Sequence, residues 1–280
     1  MASHRRGIAF ALLAMICFAS MDAASKHLTA SYSIVQIVWV RYLFFAAHSL
    51  AMASREGIAA TLRSPCRGLQ LARSLVLIAE VASFVLAFSY LPLGYVHSVA
   101  AVTPLLALAM AAMFLKEPVG ARRWAAVGIG FLGVLLIVRP REGLVGGWAA
   151  LIPLLAALLW ALYQIMVRAV SRTDSTNTTF LYTGLTGALA MTLIAPFQWR
   201  APDTQGWLLL TLVGLLGSFA HLCLIKALHA ASASVLQPFN YTLVVWASFM
   251  GFLVFGDVPD AWTMLGAAIV IGGGLYSMGD

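Results

Sequence analysis

Apolar residues gather into ten runs separated by short polar breaks: roughly 7–26, 35–53, 72–91, 95–115, 121–138, 147–168, 178–197, 206–228, 233–254 and 260–277. Each run approaches the roughly 20 residues that an α-helix needs to cross a hydrocarbon core. The breaks carry proline, glycine or charge, as at Ser64-Pro65, Leu91-Pro92-Leu93-Gly94, Lys116-Glu117-Pro118, Arg139-Pro140-Arg141-Glu142-Gly143, Ala201-Pro202-Asp203 and Asp257-Val258-Pro259-Asp260. No break is long enough for a soluble domain. The pattern predicts an all-α integral membrane protein of ten transmembrane helices. The first run follows His4-Arg5-Arg6 and outlasts the roughly 7–15 apolar residues of a signal peptide, so it reads as a retained helix.

Composition strengthens this reading. The chain is 62% hydrophobic and 10% charged, where a soluble domain carries about 25% charged residues. The net charge of +7 sits in short clusters between the runs, without a basic helix or stripe, so it reports topology and not nucleic-acid binding. With a cytoplasmic N-terminus, the inside segments hold Arg5, Arg6, Arg55, Arg63, Arg67, Arg73, Lys116, Arg122, Arg123, Arg168, Arg172 and Lys226. The outside segments hold Lys26, Arg139, Arg141 and Arg200. Twelve against four places both termini in the cytoplasm. Cys17, Cys66 and Cys223 have no CxxC or Cys/His spacing, so no disulfide framework, metal site or cofactor is expected.

The two halves echo one another. Phe18-Ala19 and Lys26 match Trp160-Ala161 and Arg168; Ala87 and Glu117 match Ala227 and Asp257; Trp124 and Gly128 match Trp262 and Gly266. The halves are 1–140 and 141–280. Five helices per half is an odd number, so the second copy is inverted, an architecture that places a substrate site near the midplane between the repeats.

The stretches Ala87-Phe88-Ser89-Tyr90-Leu91-Pro92-Leu93, Thr103-Pro104-Leu105 and Leu115-Lys116-Glu117 resemble the first repeat of EamA-type transporters of the drug/metabolite transporter superfamily. Arg41 and Gly133-Val134-Leu135 are similar to that pattern too. The second repeat fits less well: Val244 stands where the first has Pro104, and Asp257 where the family usually has Glu. The resemblance implies ten helices around a central cavity, alternating access without ATP, and the bacterial inner membrane. Similar bacterial members include amino-acid exporters and importers of vitamins or nucleotide-like metabolites. Amino-acid export is the leading expectation.

Ionisable side chains within a membrane span are costly and usually face a cavity or a partner. Matched positions of the repeat pair Asp22 with Gln164 and His97 with Gln237, and place Glu80 one residue from the counterpart of His221. Helical spacing puts Phe18 beside Asp22, Trp160 and Tyr163 beside Gln164, Phe84 beside Glu80, and Asn240 and Tyr241 beside Gln237. The expected cavity is therefore mainly apolar and aromatic, with a few polar groups. Asp22 and His97 are expected at an outer constriction, Gln164 and Gln237 at an inner one. Asp22 has a second reading, as a headgroup-level partner of Lys26. Arg41 is expected to pair with Glu80 and hold two helices together, and Pro104 to bend its helix. His48 reads as a satisfied interior histidine.

Gly128-Ile129-Gly130-Phe131-Leu132-Gly133 spells a dinucleotide-binding motif, but no strand precedes it. It reads instead, with Gly272-Gly273-Gly274, as close helix packing within the bundle or in a homodimer. An intramembrane enzyme is disfavoured, since Asp22 is the single deep aspartate and HExxH is absent. The expected partners are a small-molecule substrate and the bilayer.

Overall fold

The computed structural model describes residues 2–114, 120–138, 147–231, 236 and 239–276. Gln237, Glu117 with its neighbours Leu115 and Lys116, and the Arg139–Gly143 break lie outside the described residues. The helices are α1 (Ala2–Leu28), α2 (Ile34–Ala53), the single turn α3 (Ile58–Thr61), α4 (Arg67–Tyr90), α5 (Leu93–Ala100), α6 (Thr103–Phe114) and α7 (Ala121–Val138) in the first half. The second half holds α8 (Ile152–Val170), α9 (Thr176–Thr192), α10 (Thr204–Ala230), α11 (Thr242–Phe255) and α12 (Ala261–Tyr276). There is no strand among the described residues. Helices suit this setting because they satisfy their own backbone polar groups where water is excluded.

Among the described residues, six helical stretches are long and apolar enough to cross a membrane: Arg5–Leu28, Ile34–Ala53, Arg67–Tyr90, Leu93–Phe114, Gly147–Val170 and Thr204–Ala230. Trp124–Ile137, Thr242–Phe255 and Ala261–Gly273 are shorter apolar helices. The fourth stretch is not continuous, because α5 ends at Ala100 and α6 begins at Thr103. Pro104 sits in the first turn of α6. A proline ring clashes with the carbonyl four residues back, here that of Ala100, where α5 stops.

Side chains close the helix ends. Ser33 Oγ accepts from Gln36 N (3.1 Å) at the start of α2, and Ser175 Oγ from Thr178 N (3.1 Å) at α9. Asp203 Oδ1 accepts from Gly206 N (2.7 Å) at α10. Leu91, held extended before Pro92, ends α4.

Packing partners recur with the halves exchanged. Helix α1 packs on α10 as α4 packs on α8. Helix α10 packs on α2 as α4 packs on α9, and α1 on α11 as α8 on α6. The pairs α2–α9 and α7–α12 join equivalent elements of the two halves. Large apolar side chains such as Leu75, Phe131, Leu132, Phe249 and Phe252 project outward. In water such a surface would drive aggregation; in lipid it is the normal exterior.

The α7–α12 contact depends on two glycines. A Cβ at Gly133 would lie 2.8 Å from Gly266 O, and one at Gly266 would lie 2.7 Å from Gly133 O. Both backbones would have to move apart. Gly133→Val is expected to lower stability by roughly 1–3 kcal/mol, the usual cost of overpacking. Gly128→Val on the same helix meets nothing within 4 Å and serves as the control. Thermal unfolding in detergent compares the two; equal melting of both variants would contradict the close-packing account.

Candidate functional site

The cavity lies where α1, α2, α4, α5, α6, α8, α10 and the residues leading into α11 converge. It offers about 60 Å³ to the centres of water molecules, space for a few waters. Phe18 and Asp22 reach it from α1, Glu80 and Phe84 from α4, and His97 from α5. Trp160 comes from α8 and His221 from α10; Asn240 and Tyr241 precede α11. Arg41 of α2 and Pro104 of α6 line it too, although the sequence suggested structural roles for them.

Tyr163 and Gln164 stand one layer behind. The Tyr163 ring stacks on Trp160 with centroids 5.4 Å apart and planes 13° apart. Gln164 Oε1 accepts from Asn240 Nδ2 at 3.4 Å. Each supports a wall residue, while Gln237 is not among the described residues. His48 Nδ1 lies 3.3 Å from Ser218 Oγ, between α2 and α10.

The expected Arg41–Glu80 ion pair is not formed. Both side chains are buried in the cavity wall, but the ion pairs among the described residues are His97–Asp22 and Lys26–Asp257. The reason lies in helix packing. Helix α2 lies against α10, and Arg41 runs over Gly217, where a Cβ would stand 3.0 Å from Arg41 Nε. A guanidinium and a carboxyl group thus share the cavity without forming an ion pair.

Asp22 meets His97 instead of Lys26. His97 Nε2 stands 3.2 Å from Asp22 Oδ2, a close approach without hydrogen-bond alignment. The rings of Phe84 (5.6 Å) and Phe88 (5.8 Å) hold the His97 ring in place. One turn further along α1, Lys26 Nζ donates to Leu91 O (2.9 Å) and lies 3.6 Å from Asp257 Oδ2. It also lies 5.2 Å from the centre of the Phe255 ring. The end of α1 is thereby fastened in two layers, to α5 and then to the segments after α4 and α11. Arg168, the repeat counterpart of Lys26, donates from Nη1 to Leu228 O (3.2 Å) near the end of α10.

A buried polar cluster behind the cavity escaped the sequence reading. Arg73, counted there as a cytoplasmic charge, is fully buried in α4. Its Nε (3.1 Å) and Nη2 (2.9 Å) both donate to Gln70 Oε1, Nη1 donates to Thr183 Oγ1 (2.9 Å) and Nη2 to Thr179 O (2.8 Å). Gln70 Nε2 in turn donates to Asp174 Oδ2 at 2.8 Å, and Ser64 Oγ donates to the same oxygen at 2.5 Å. The guanidinium carbon stands 5.4 Å from the centre of the Tyr163 ring, behind Trp160. One signal was present: Arg73 falls inside the apolar run 72–91 and not in the break before it.

The cavity lining offers groups capable of stacking, ionic and hydrogen-bonding contacts. Comparison with known proteins bears on the function these groups serve. The model of the EamA-like transporter family matches residues 5–139 and 147–278. A riboflavin transporter of Vibrio cholerae is 29% identical over 276 residues, spanning 95% of this chain and 90% of that protein. An S-adenosylmethionine uptake transporter of Rickettsia felis is 24% identical over 274 residues, spanning 98% and 92%. A chain in a solved crystal structure shares the fold with a TM-score of 0.69, at 16% identity, over 98% of this chain and 96% of that one.

Proposed function

From the premise that this chain belongs to the EamA-like transporter family, we propose that it takes up a flat heteroaromatic metabolite by alternating access. It is a multi-pass membrane protein and a transporter of a small molecule. The observation that carries the finer reading is the cavity wall. Trp160 stacked on Tyr163, with Phe18 and His221 beside it and Phe84 elsewhere on the wall, presents ring faces and edges to one small space. Aromatic surfaces favour a planar ligand because stacking maximises contact at little entropic cost. The riboflavin transporter among its relatives makes riboflavin the first solute to test.

The proposed architecture is ten spans in two inverted repeats, 1–140 and 141–280, with both termini in the cytoplasm of a bacterial inner membrane. The exchange of packing partners between the halves supports it. In that orientation the Asp22–His97 and Lys26–Asp257 layers lie at the outer end of the cavity. Solute gradients drive the movement.

A second reading, amino-acid export, is favoured by one observation: the Arg41 guanidinium and the Glu80 carboxyl line the same cavity without pairing with each other. A zwitterion would engage both. Counterflow in proteoliposomes separates the readings. Saturable exchange of labelled riboflavin, without exchange of amino acids, is expected. Exchange of amino acids alone would replace the first reading with the second, and no exchange of any organic solute would remove both.

A further inference from the structure

His221 is the most enclosed polar group of the cavity wall, with 1% of its surface exposed. Four aromatic rings from three helices surround it: Phe18 at 4.8 Å, Phe45 at 5.3 Å, Trp160 at 5.8 Å and Tyr163 at 6.2 Å between centroids. Phe18, Phe45 and Trp160 meet it edge to face.

Its Nδ1 lies 3.0 Å from Gly217 O, one turn earlier on α10. A carbonyl oxygen only accepts, so Nδ1 carries the hydrogen and donates. No carboxylate pairs with the ring among the described residues, and the Arg41 guanidinium packs over the same Gly217. A second proton on the ring would therefore add a buried cation beside another. The ring is neutral, and its other nitrogen bears a lone pair. That Nε2 is buried and has no partner. Because Nδ1 is tied to its own helix, Nε2 lies on the edge of the ring directed away from it.

We propose that His221 Nε2 is a specificity-determining acceptor, which takes a hydrogen bond from an N–H on the edge of the flat ring bound against Trp160. The inference rests on the flat-ring reading above and adds a requirement to it. The transported ring must offer a donor at that edge, as the imide of a flavin does. The present cavity holds only a few waters, so the bond forms in the widened, loaded state. An unfilled buried acceptor penalises any ligand that cannot supply the donor. Among the described residues, the ring neighbours of His221 are aromatic side chains, which offer a ligand without the donor little in exchange.

Riboflavin and 3-methylriboflavin, which differ by the imide N–H, are the probes. Their binding to the purified full-length protein is read by quenching of flavin fluorescence. Methylation is expected to weaken binding to the wild type by roughly tenfold, and His221→Phe to bind the two flavins within about twofold of each other. His221→Gln, whose amide oxygen restores an acceptor, recovers the preference for riboflavin; melting curves of both variants establish that they are folded. Equal binding of the two flavins by the wild type overturns the inference while leaving the flat-ring reading in place. So does a preference that survives in His221→Phe. If neither flavin binds the wild type, the flat-ring reading fails and this inference falls with it.

Discussion

Bridging position 22 to position 97 stops transport. In an Asp22→Cys/His97→Cys variant, with Cys17, Cys66 and Cys223 replaced, a short thiol-bridging reagent is expected to cut solute flux roughly tenfold or more, and reductant to restore it. Asp22 on α1 and His97 on α5 already stand 3.2 Å apart, so a bridge holds the contact the protein makes itself. The alternating access proposed above opens that contact once in each cycle. A second layer repeats the logic one turn further along α1, where Lys26 joins Leu91 O and Asp257. A Lys26→Cys/Asp257→Cys pair tests it independently, and covers the case in which the reduced Asp22/His97 variant is itself inactive. Undiminished flux through both bridged variants would show that this end of α1 does not gate the pathway.

Removing Arg73 has the largest expected effect on stability. Its guanidinium directs hydrogen bonds to Gln70, Thr179 and Thr183, inside a cluster that also holds Asp174. Among the described residues no carboxylate pairs with it; Gln70 stands between the cation and Asp174 and bonds to both. Arg73→Ala leaves a cavity, a buried carboxylate without its balancing charge and several unfilled acceptors. The expected loss is about 3–5 kcal/mol, as for other broken buried charge networks. Thermal unfolding in detergent reads the loss, and a melting point unchanged from the wild type would contradict it. Arg73→Lys recovers only part, because one ammonium cannot reproduce a planar fork that spans Gln70, Thr179 and Thr183. The cluster joins α4 to α9 behind Tyr163, so its failure also loosens the wall on which Trp160 stacks.

The residues expected in the cavity from helical spacing divide in an instructive way. Phe18, Asp22, Glu80, Phe84, His97, Trp160, His221, Asn240 and Tyr241 converge on one space. Polar atoms and their helical neighbours in an apolar run are already a signal, since lipid gives them nowhere else to go. Tyr163 and Gln164 share a face with Trp160 by spacing, yet stand behind it. Spacing of three and four residues fixes a side of a helix, not the depth to which that side is buried. The same shortfall explains Arg73, which lies at the edge of an apolar run and was assigned to the loop.

What the chain determines by itself is its solvent and its elements. Apolar runs separated by short polar breaks favour helices that satisfy their own hydrogen bonds, and six of the resulting helical stretches among the described residues are long enough to cross a bilayer. The order of those helices and the paired features of the halves are written in the same pattern. Which polar groups meet was decided only in three dimensions. Asp22 takes His97 and Lys26 takes Asp257, while Arg41 lies over Gly217 and does not pair with Glu80. In water, an apolar stripe tells a helix which way to face. In lipid, the outside of the bundle is as apolar as the inside, so hydropathy cannot set the rotation. Rotation is set by close packing, and with it the partner of every buried charge.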